Sequence, residues 1–229
     1  MSGWLDYWRN QHKVDALNPQ LSVARTRNKR VISSKEWQIT LDSLQKIIPN
    51  RSLGNTLDLC GGNGMFLPLL SKKSSKVTIV DVNLELLQQV DKSDNTMVKT
   101  VHSDALKFLS KNSEKFDLIF CYAGIQYFDE REVVELFKLM YRHLNSGGML
   151  FVGDIPDLDK RSKFLVKSNK IDDYYKSLTS DLPIIGHWFA KDWIFLLSKW
   201  AGFTEVKILK QKKKLIYSDF RFDLMAEKP

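Results

Sequence analysis

The stretch Thr56-Leu57-Asp58-Leu59-Cys60-Gly61-Gly62-Asn63-Gly64-Met65-Phe66 constrains this chain more than any other. A short apolar run carrying one acid ends in glycines, then resumes at helical spacing. Glycine lets the backbone approach a ligand with no Cβ in the way. The helix beyond it offers free N–H groups and the positive end of its dipole to polar or anionic atoms. The stretch therefore predicts a nucleotide cradle at the start of an α/β unit.

The rest of the sequence alternates around that turn. Strand-like runs are predicted at 55–60, 76–80, 96–101, 116–121 and 149–154, with helical patterns at about 64–72, 83–91, 104–111 and 130–144. Gly147-Gly148 reads as the turn that closes the last helix. Continuous apolar strands separated by helices predict a parallel sheet covered on both faces and doubly wound. Upstream, Ser33 and Glu36 form a capping-box pattern, and Trp37, Leu41, Leu44 and Ile47/Ile48 recur at helical spacing until Pro49. Beyond 155, helices are predicted over about 160–180 and 191–201, the second ending at Ala201-Gly202-Phe203. Two strands come next, at 204–209 and 215–226, as an antiparallel pair at the sheet edge. Residues 1–48 read as an N-terminal helical extension and residues 49–229 as the main domain.

At 229 residues, 43% hydrophobic and 27% charged, the chain has the size and composition of one globular domain. No apolar run approaches the roughly 20 residues needed to span a bilayer. The opening Met1–Arg9 lacks a cationic leader with an apolar core, so no signal peptide is expected. Cys60 and Cys121 end apolar runs at a spacing unlike any zinc or CxxC motif, and read as buried thiols of a cytoplasmic protein. The net charge of +8 is concentrated in two clusters. The lysines at 207, 210 and 212–214 read as a solvated face. Arg25, Arg27, Lys29 and Arg30 are a candidate anion site, because arginine favours bidentate contact with phosphate or carboxylate.

Asp81 ends the second strand about twenty residues beyond the glycines, where a carboxylate can accept from both ribose hydroxyls. That indicates an adenosine-type ligand. A dinucleotide fingerprint has a third glycine for close helix–strand contact, which is missing here. Asp58 ahead of the turn would repel a pyrophosphate but attract an ammonium or sulfonium. Asp104, in Ser103-Asp104-Ala105 after the third strand, is placed to accept from an adenine amino group.

On these motifs, with Phe116–Cys121, Gly147-Gly148-Met149-Leu150 and the Ala201-Gly202-Phe203 helix end, the chain resembles a class I S-adenosylmethionine-dependent methyltransferase over roughly residues 50–229. The resemblance implies a Rossmann-like, mostly parallel seven-stranded sheet with an antiparallel C-terminal edge strand. The N-terminal extension would then serve as a helical lid. It further implies that Gly62 and Gly64 flank the methionine part, with Asp58, Cys60 and Gly61 completing the turn. Asp81 would hold the ribose, Val82 pack on adenine, and Asp104 with Ala105 read the adenine edge. Cys121 and Tyr122 would lie beside the methionine moiety. The family's usual pattern is DxGxGxG, and here Cys60 stands where the first glycine is usual.

The residues at the end of the fourth strand and beyond it, Cys121-Tyr122-Ala123-Gly124-Ile125-Gln126-Tyr127-Phe128, bear on the acceptor. The Asn/Asp-Pro-Pro-aromatic turn of amino methylation is absent. So are a Pro-Cys nucleophile and the carboxylates that would bind a metal, and nothing in the turn demands one. The turn resembles those of small-molecule methyltransferases with aromatic residues there, making Tyr127 a candidate acceptor contact. His187, in Gly186-His187-Trp188-Phe189, precedes the penultimate helix, and Trp188 beside it is a further candidate contact. His12 belongs to an aromatic N-terminal strip with Trp4, Tyr7 and Trp8, and Asp154 ends the fifth strand. These three, His187, His12 and Asp154, are the candidate bases. His102 is expected to pack and His143 to be solvated.

The expected reaction is methyl transfer to a small, polar, anionic acceptor, a sugar or a phosphorylated or nucleotide-linked metabolite, at oxygen, with Arg25 and Arg27 holding the anion. An RNA or protein methyltransferase, a non-catalytic cofactor-binding scaffold and a nicotinamide dehydrogenase are the alternatives. The partners expected are the acceptor alone, with no membrane and no nucleic acid, in a monomer or homodimer.

Overall fold

The computed structural model describes the chain apart from residues 1–2, 11–14, 16–17, 28–29, 49–50, 92–96 and 180–184. His12, Lys29, the helix stop at Pro49 and the expected strand start at Thr96 lie outside the described residues. The N-terminal segment carries α1 (Gly3–Arg9), α2 (Pro19–Ser22) and a two-residue antiparallel pair, β1 (Thr26–Arg27) and β2 (Arg30–Val31). Next comes α3 (Ser34–Gln45), whose capping box is present. The Ser33 hydroxyl accepts from the Glu36 N–H, and the Glu36 carboxylate accepts from the Ser33 N–H.

Seven strands form the main sheet: β3 (Leu53–Leu59), β4 (Ser74–Asp81), β5 (Met97–His102), β6 (Phe116–Tyr122), β7 (Leu144–Pro156), β8 (Thr204–Lys210) and β9 (Arg221–Glu227). Their order is β5-β4-β3-β6-β7-β9-β8. The first five run parallel, while β9 is antiparallel to both neighbours. The antiparallel pair stands at the expected edge, with the last strand inserted between β7 and β8. Strand order reverses between β3 and β6, and that reversal opens a crevice at the carboxyl ends of the strands.

Side chains alternate across the sheet into two cores. On one face Leu57, Ile119 and Leu150 pack with α6 (Ala105–Lys111), α7 (Glu130–His143) and α10 (Lys191–Trp200), through residues such as Leu136, Phe137 and Ile194. On the other, Val77, Ile79, Phe120 and Phe151 pack with α3, α4 (Leu67–Leu70) and α5 (Leu84–Gln88), through Leu44, Phe66 and Leu87. The last third of the N-terminal extension, α3, is thus part of the sheet's cover.

Four local expectations change. The helical stretch at 160–180 is two helices, α8 (Arg161–Lys167) and α9 (Ile171–Leu178), parted where Asn169 takes a left-handed φ of 51°. The α7 helix stops at His143, because Leu144 already pairs with Phe116, and Gly147-Gly148 falls within β7. His143 is buried rather than solvated, its ring nitrogens 2.8 and 2.7 Å from the carbonyls of Glu114 and Leu109. The strand expected from Leu215 starts only at Arg221. Residues 215–220 make successive tight turns that carry Tyr217 and Phe220 over the end of the sheet.

Phe137 is fully buried in the larger core. Phe137→Ala should cost about 3–5 kcal/mol of stability in urea unfolding. A loss below about 1 kcal/mol would mean that α7 is not packed on the sheet as described.

Candidate active site

A cavity of about 470 Å³ occupies the crevice at the reversal of strand order. One half is built on the glycine turn. Asp58 is buried in β3, and Cys60 at the strand's end takes a left-handed φ of 60°. Gly61 is required by space: a Cβ there would sit 2.7 Å from Ile79 Cγ2 and 2.8 Å from the Asp58 carboxylate. Gly62 is required by backbone, with φ at 56°, and its N–H donates to Asp81 Oδ2 at 2.8 Å. The other carboxylate oxygen of Asp81 accepts from the Asn83 N–H at 2.9 Å. Val82, Asp104 and Ala105 continue the wall beyond Asp81, and Asp104 also caps α6 by accepting from the Lys107 N–H.

Asp58 has no hydrogen-bond partner for Oδ2 among the described residues. Burial and the nearby Asp81 push its carboxyl up to about 8. Asp81 is raised too, by burial, against the backbone N–H groups that favour its charge. Two acids facing one cavity, one with an orphaned oxygen, call for a ligand bearing both a cation and hydroxyl donors.

The other half of the cavity is basic and aromatic. In β7 the pairing with β9 shifts between Val152 and Ile155, and Asp154 sits at that bulge with φ at 62°. The bulge turns its carboxylate toward Arg25, whose Nη1 lies 2.6 Å away. The Asp154 N–H donates instead to Asp223 Oδ1 at 2.8 Å. Arg221 donates through Nη1 to the Asp154 carbonyl at 2.5 Å and to Gln126 Oε1 at 3.0 Å. Arg25 lies over the rings of Tyr122 and Tyr217, at 4.9 and 5.8 Å, and Arg221 over Tyr217 at 5.6 Å.

The N-terminal segment closes this space. Asn83 Nδ2 donates to the Trp8 carbonyl at 2.8 Å and Asn63 Nδ2 to the Pro19 carbonyl at 3.0 Å, so one residue of the glycine turn and one just beyond Asp81 hold α2 and α1. Trp4 and Trp8 pack on Tyr127 with ring centroids 5.0 and 5.2 Å apart.

The expected site residues divide on this geometry. Asp58, Cys60, Gly61, Gly62, Asp81, Val82, Asp104, Ala105, Tyr122, Arg25, Arg27 and Tyr127 all line the cavity. Gly64 lies behind the turn with φ at 74°, against Val90 and Ile79. Cys121 is fully buried, and a hydrogen bond between the two thiols, with burial, pushes Cys60 up, so neither is an exposed nucleophile.

Three residues stand away from the wall. His187 donates its N–H to the Gln126 carbonyl at 2.8 Å, Trp188 packs on Phe164 and Phe220, and Asp154 sits behind Arg25. Arg27 bonds the Ile216 carbonyl and pairs with Asp219 at 3.2 Å, tethering the β8–β9 loop. His102 is exposed, with Nε2 2.9 Å from the Val82 carbonyl. Sequence reasoning missed Tyr217, Arg221, Gln126 and Gln211, which form no motif and meet only through the β8–β9 loop and the bulge.

Fold and site together suit an adenosine cofactor carrying a positive charge. Residues 56–148 match the family model described as a methyltransferase domain, a span holding the glycine turn, Asp81 and Asp104. No curated protein matches the chain by sequence. Among solved structures it is similar to an S-adenosylmethionine-dependent methyltransferase from Clostridium acetobutylicum (16% identity, 93% of this chain, 99% of that one, TM-score 0.65). It is similar to the N-methyltransferase NodS from Bradyrhizobium japonicum with S-adenosyl-L-homocysteine (15%, 93% and 99%, TM-score 0.62). It also resembles phosphoethanolamine N-methyltransferase 2 from Haemonchus contortus with S-adenosyl-L-methionine (17%, 100% of this chain, 60% of that one, TM-score 0.65). Residues 56–148 thus carry a methyltransferase domain, in a chain with the fold of S-adenosylmethionine-dependent methyltransferases, enzymes whose cofactor is S-adenosylmethionine. The residues present fit that cofactor: the orphaned Asp58 oxygen suits its ammonium and Asp81 its ribose hydroxyls. Among the described residues no helix is long and apolar enough to cross a membrane.

A carboxyl raised in the folded state binds a proton that the unfolded chain releases. Asp58 therefore lowers stability as pH climbs from its ordinary 3.8 to about 8. Asp58→Asn should make the cofactor-free protein more stable than the parent, by a margin that widens over that window and levels above it. The same substitution should weaken S-adenosylhomocysteine binding by at least about tenfold. A margin equal at pH 5 and pH 9 would contradict the buried, unpaired placement.

Proposed function

We propose that the enzyme transfers the methyl group of S-adenosylmethionine to a small polar acceptor carrying an anionic group, a sugar or a phosphorylated or nucleotide-linked metabolite. The observation that carries this reading is the continuity of one cavity from the acidic glycine turn into a half walled by Arg25, Arg221, Tyr122 and Tyr217. About 470 Å³ suits a cofactor with a compact acceptor. The N-terminal segment then serves as a lid, its α1 and α2 held by Asn83 and Asn63. Methyl transfer is an in-line displacement, so the protein's main work is to hold donor and acceptor at attack geometry and keep water out. The likeness to phosphoethanolamine N-methyltransferase 2 supports the anionic part.

Oxygen is the acceptor atom of the first reading, with His12 as the candidate base. A nitrogen acceptor is the second reading, and one observation favours it. The carboxylates of the acceptor half are engaged: Asp154 by Arg25, Asp219 by Arg27 and Lys167, and Glu132 by the Asp129 N–H. The tyrosines hold their protons, Tyr127 being raised by burial to about 12 and Tyr122 and Tyr217 also raised by burial. An amine needs no enzymic base once it has lost its proton to water.

The test is a screen of phosphorylated sugars, nucleotide-linked metabolites and phosphorylated amines for S-adenosylhomocysteine release. Anionic acceptors should turn over, and removing the anion should lower kcat/KM by at least about tenfold. Equal turnover of neutral analogues would refute the reading. RNA binding that weakens steeply with salt would replace it with the nucleic-acid alternative.

A further inference from the structure

The acceptor half holds more positive charge than its acids can balance. Arg25 and Arg221 are both buried and share one carboxylate, with Asp154 Oδ2 at 2.6 Å from the first and 3.7 Å from the second. Burial pushes the neighbouring Asp223 up to about 7, and its Oδ1 already accepts from Asp154 N and Gln211 Nε2. Nearer the rim, Arg27 and Lys167 share Asp219 at 3.2 and 3.6 Å, and Lys170 lines the same wall. Among the described residues, then, five cations face three committed acids, Asp154, Asp219 and Glu132.

The arginines also have unused donors. Arg221 Nε is buried with no partner, and the Arg25 guanidinium donates only through Nη1 among the described residues. The Arg221 guanidinium is held by Gln126 Oε1 and the Asp154 carbonyl, and Gln126 is fixed in turn by donating to the Ala123 carbonyl at 2.8 Å. Buried cations with spare N–H groups on a cavity wall need an anion to complete them.

We propose that Arg221 and Arg25 form an oxyanion subsite that takes a phosphoryl group of the acceptor, with Arg221 as its specificity-determining residue. A phosphoryl dianion answers the surplus better than a singly charged carboxylate, and the guanidinium fork matches its oxygens. This rests on reading the cavity's basic half as the acceptor site. The lysines and Arg27 at the rim draw the group in, while the two buried arginines fix it, leaving the rest of the acceptor to reach toward the glycine turn.

The experiment is calorimetric titration of the full chain, loaded with S-adenosylhomocysteine, with inorganic phosphate and separately with acetate at constant ionic strength. Phosphate should bind saturably and acetate at least about tenfold more weakly. Arg221→Gln should weaken phosphate by at least about tenfold and Arg221→Lys by less, since the charge stays but the fork is lost. Both should bind S-adenosylhomocysteine within about twofold of the parent, confirming an intact fold. If the glutamine variant fails to fold, the lysine variant and Arg25→Lys carry the same comparison. Absence of saturable phosphate binding, equal binding of acetate, or unchanged phosphate affinity in the folded variants would overturn the subsite. Failure of S-adenosylhomocysteine itself to bind, with phosphate still bound, would strike the methyltransferase reading and leave the subsite standing.

Discussion

The buried pair of Arg25 and Asp154 governs the shape of this site. It joins an N-terminal residue to the carboxyl end of the fifth parallel strand, 129 positions apart, at 2.6 Å. An isolated charge in that interior would cost several kcal/mol, so neither group can leave without the other. Burial alone would raise Asp154, yet the two arginines hold it below the ordinary carboxylate range, so it remains an anchor rather than a base. Through it the N-terminal segment is drawn over the crevice, and the bulge in β7 exists where that carboxylate must turn.

The two halves of the cavity carry opposite polarity. Asp58, Asp81 and Asp104 line one half, while Arg25, Arg221 and the rim lysines line the other. On the function proposed, such an arrangement would order a cationic methyl donor and an anionic acceptor end to end before any specific contact forms. Backbone strain gathers at the same place: Ala24, Cys60, Ala123 and Ile185 take positive φ on the cavity wall, and Asp154 does so behind it. Each costs of order 1–3 kcal/mol and persists where surrounding packing over-determines it.

The cofactor half was legible because its chemistry is local. Asp58, the glycines and Asp81 lie at the ends of two neighbouring strands, and their spacing comes from strand length and one crossover helix. Cys60 was the puzzling member of that turn. Its φ of 60° is the conformation that glycine takes easily, and its thiol packs against Cys121 beside Gly124, where a Cβ would lie 2.9 Å from Cys60 Cβ. The acceptor half was less legible. His187 and Trp188 flank a helix as expected, but His187 spends its backbone N–H on the Gln126 carbonyl, and both side chains stay off the wall. Arg27, expected to hold an anion, lines the cavity and also tethers a loop, whereas Arg221 opens what sequence alternation marked as the middle of a strand.

By itself the sequence determined the doubly wound sheet, the strand–turn–helix at Asp58–Gly64 and the cofactor's class. Hydrophobic period, glycine placement and carboxylate spacing act within one βαβ unit, so they can be read along the chain. Only the tertiary structure decided which cations line the basic half of the cavity, which acids are spent on them and what closes it. Those pairings join residues from the N-terminal segment, the β7 bulge and the β8–β9 loop. Their strength comes from shared burial, a property that no stretch of sequence carries alone.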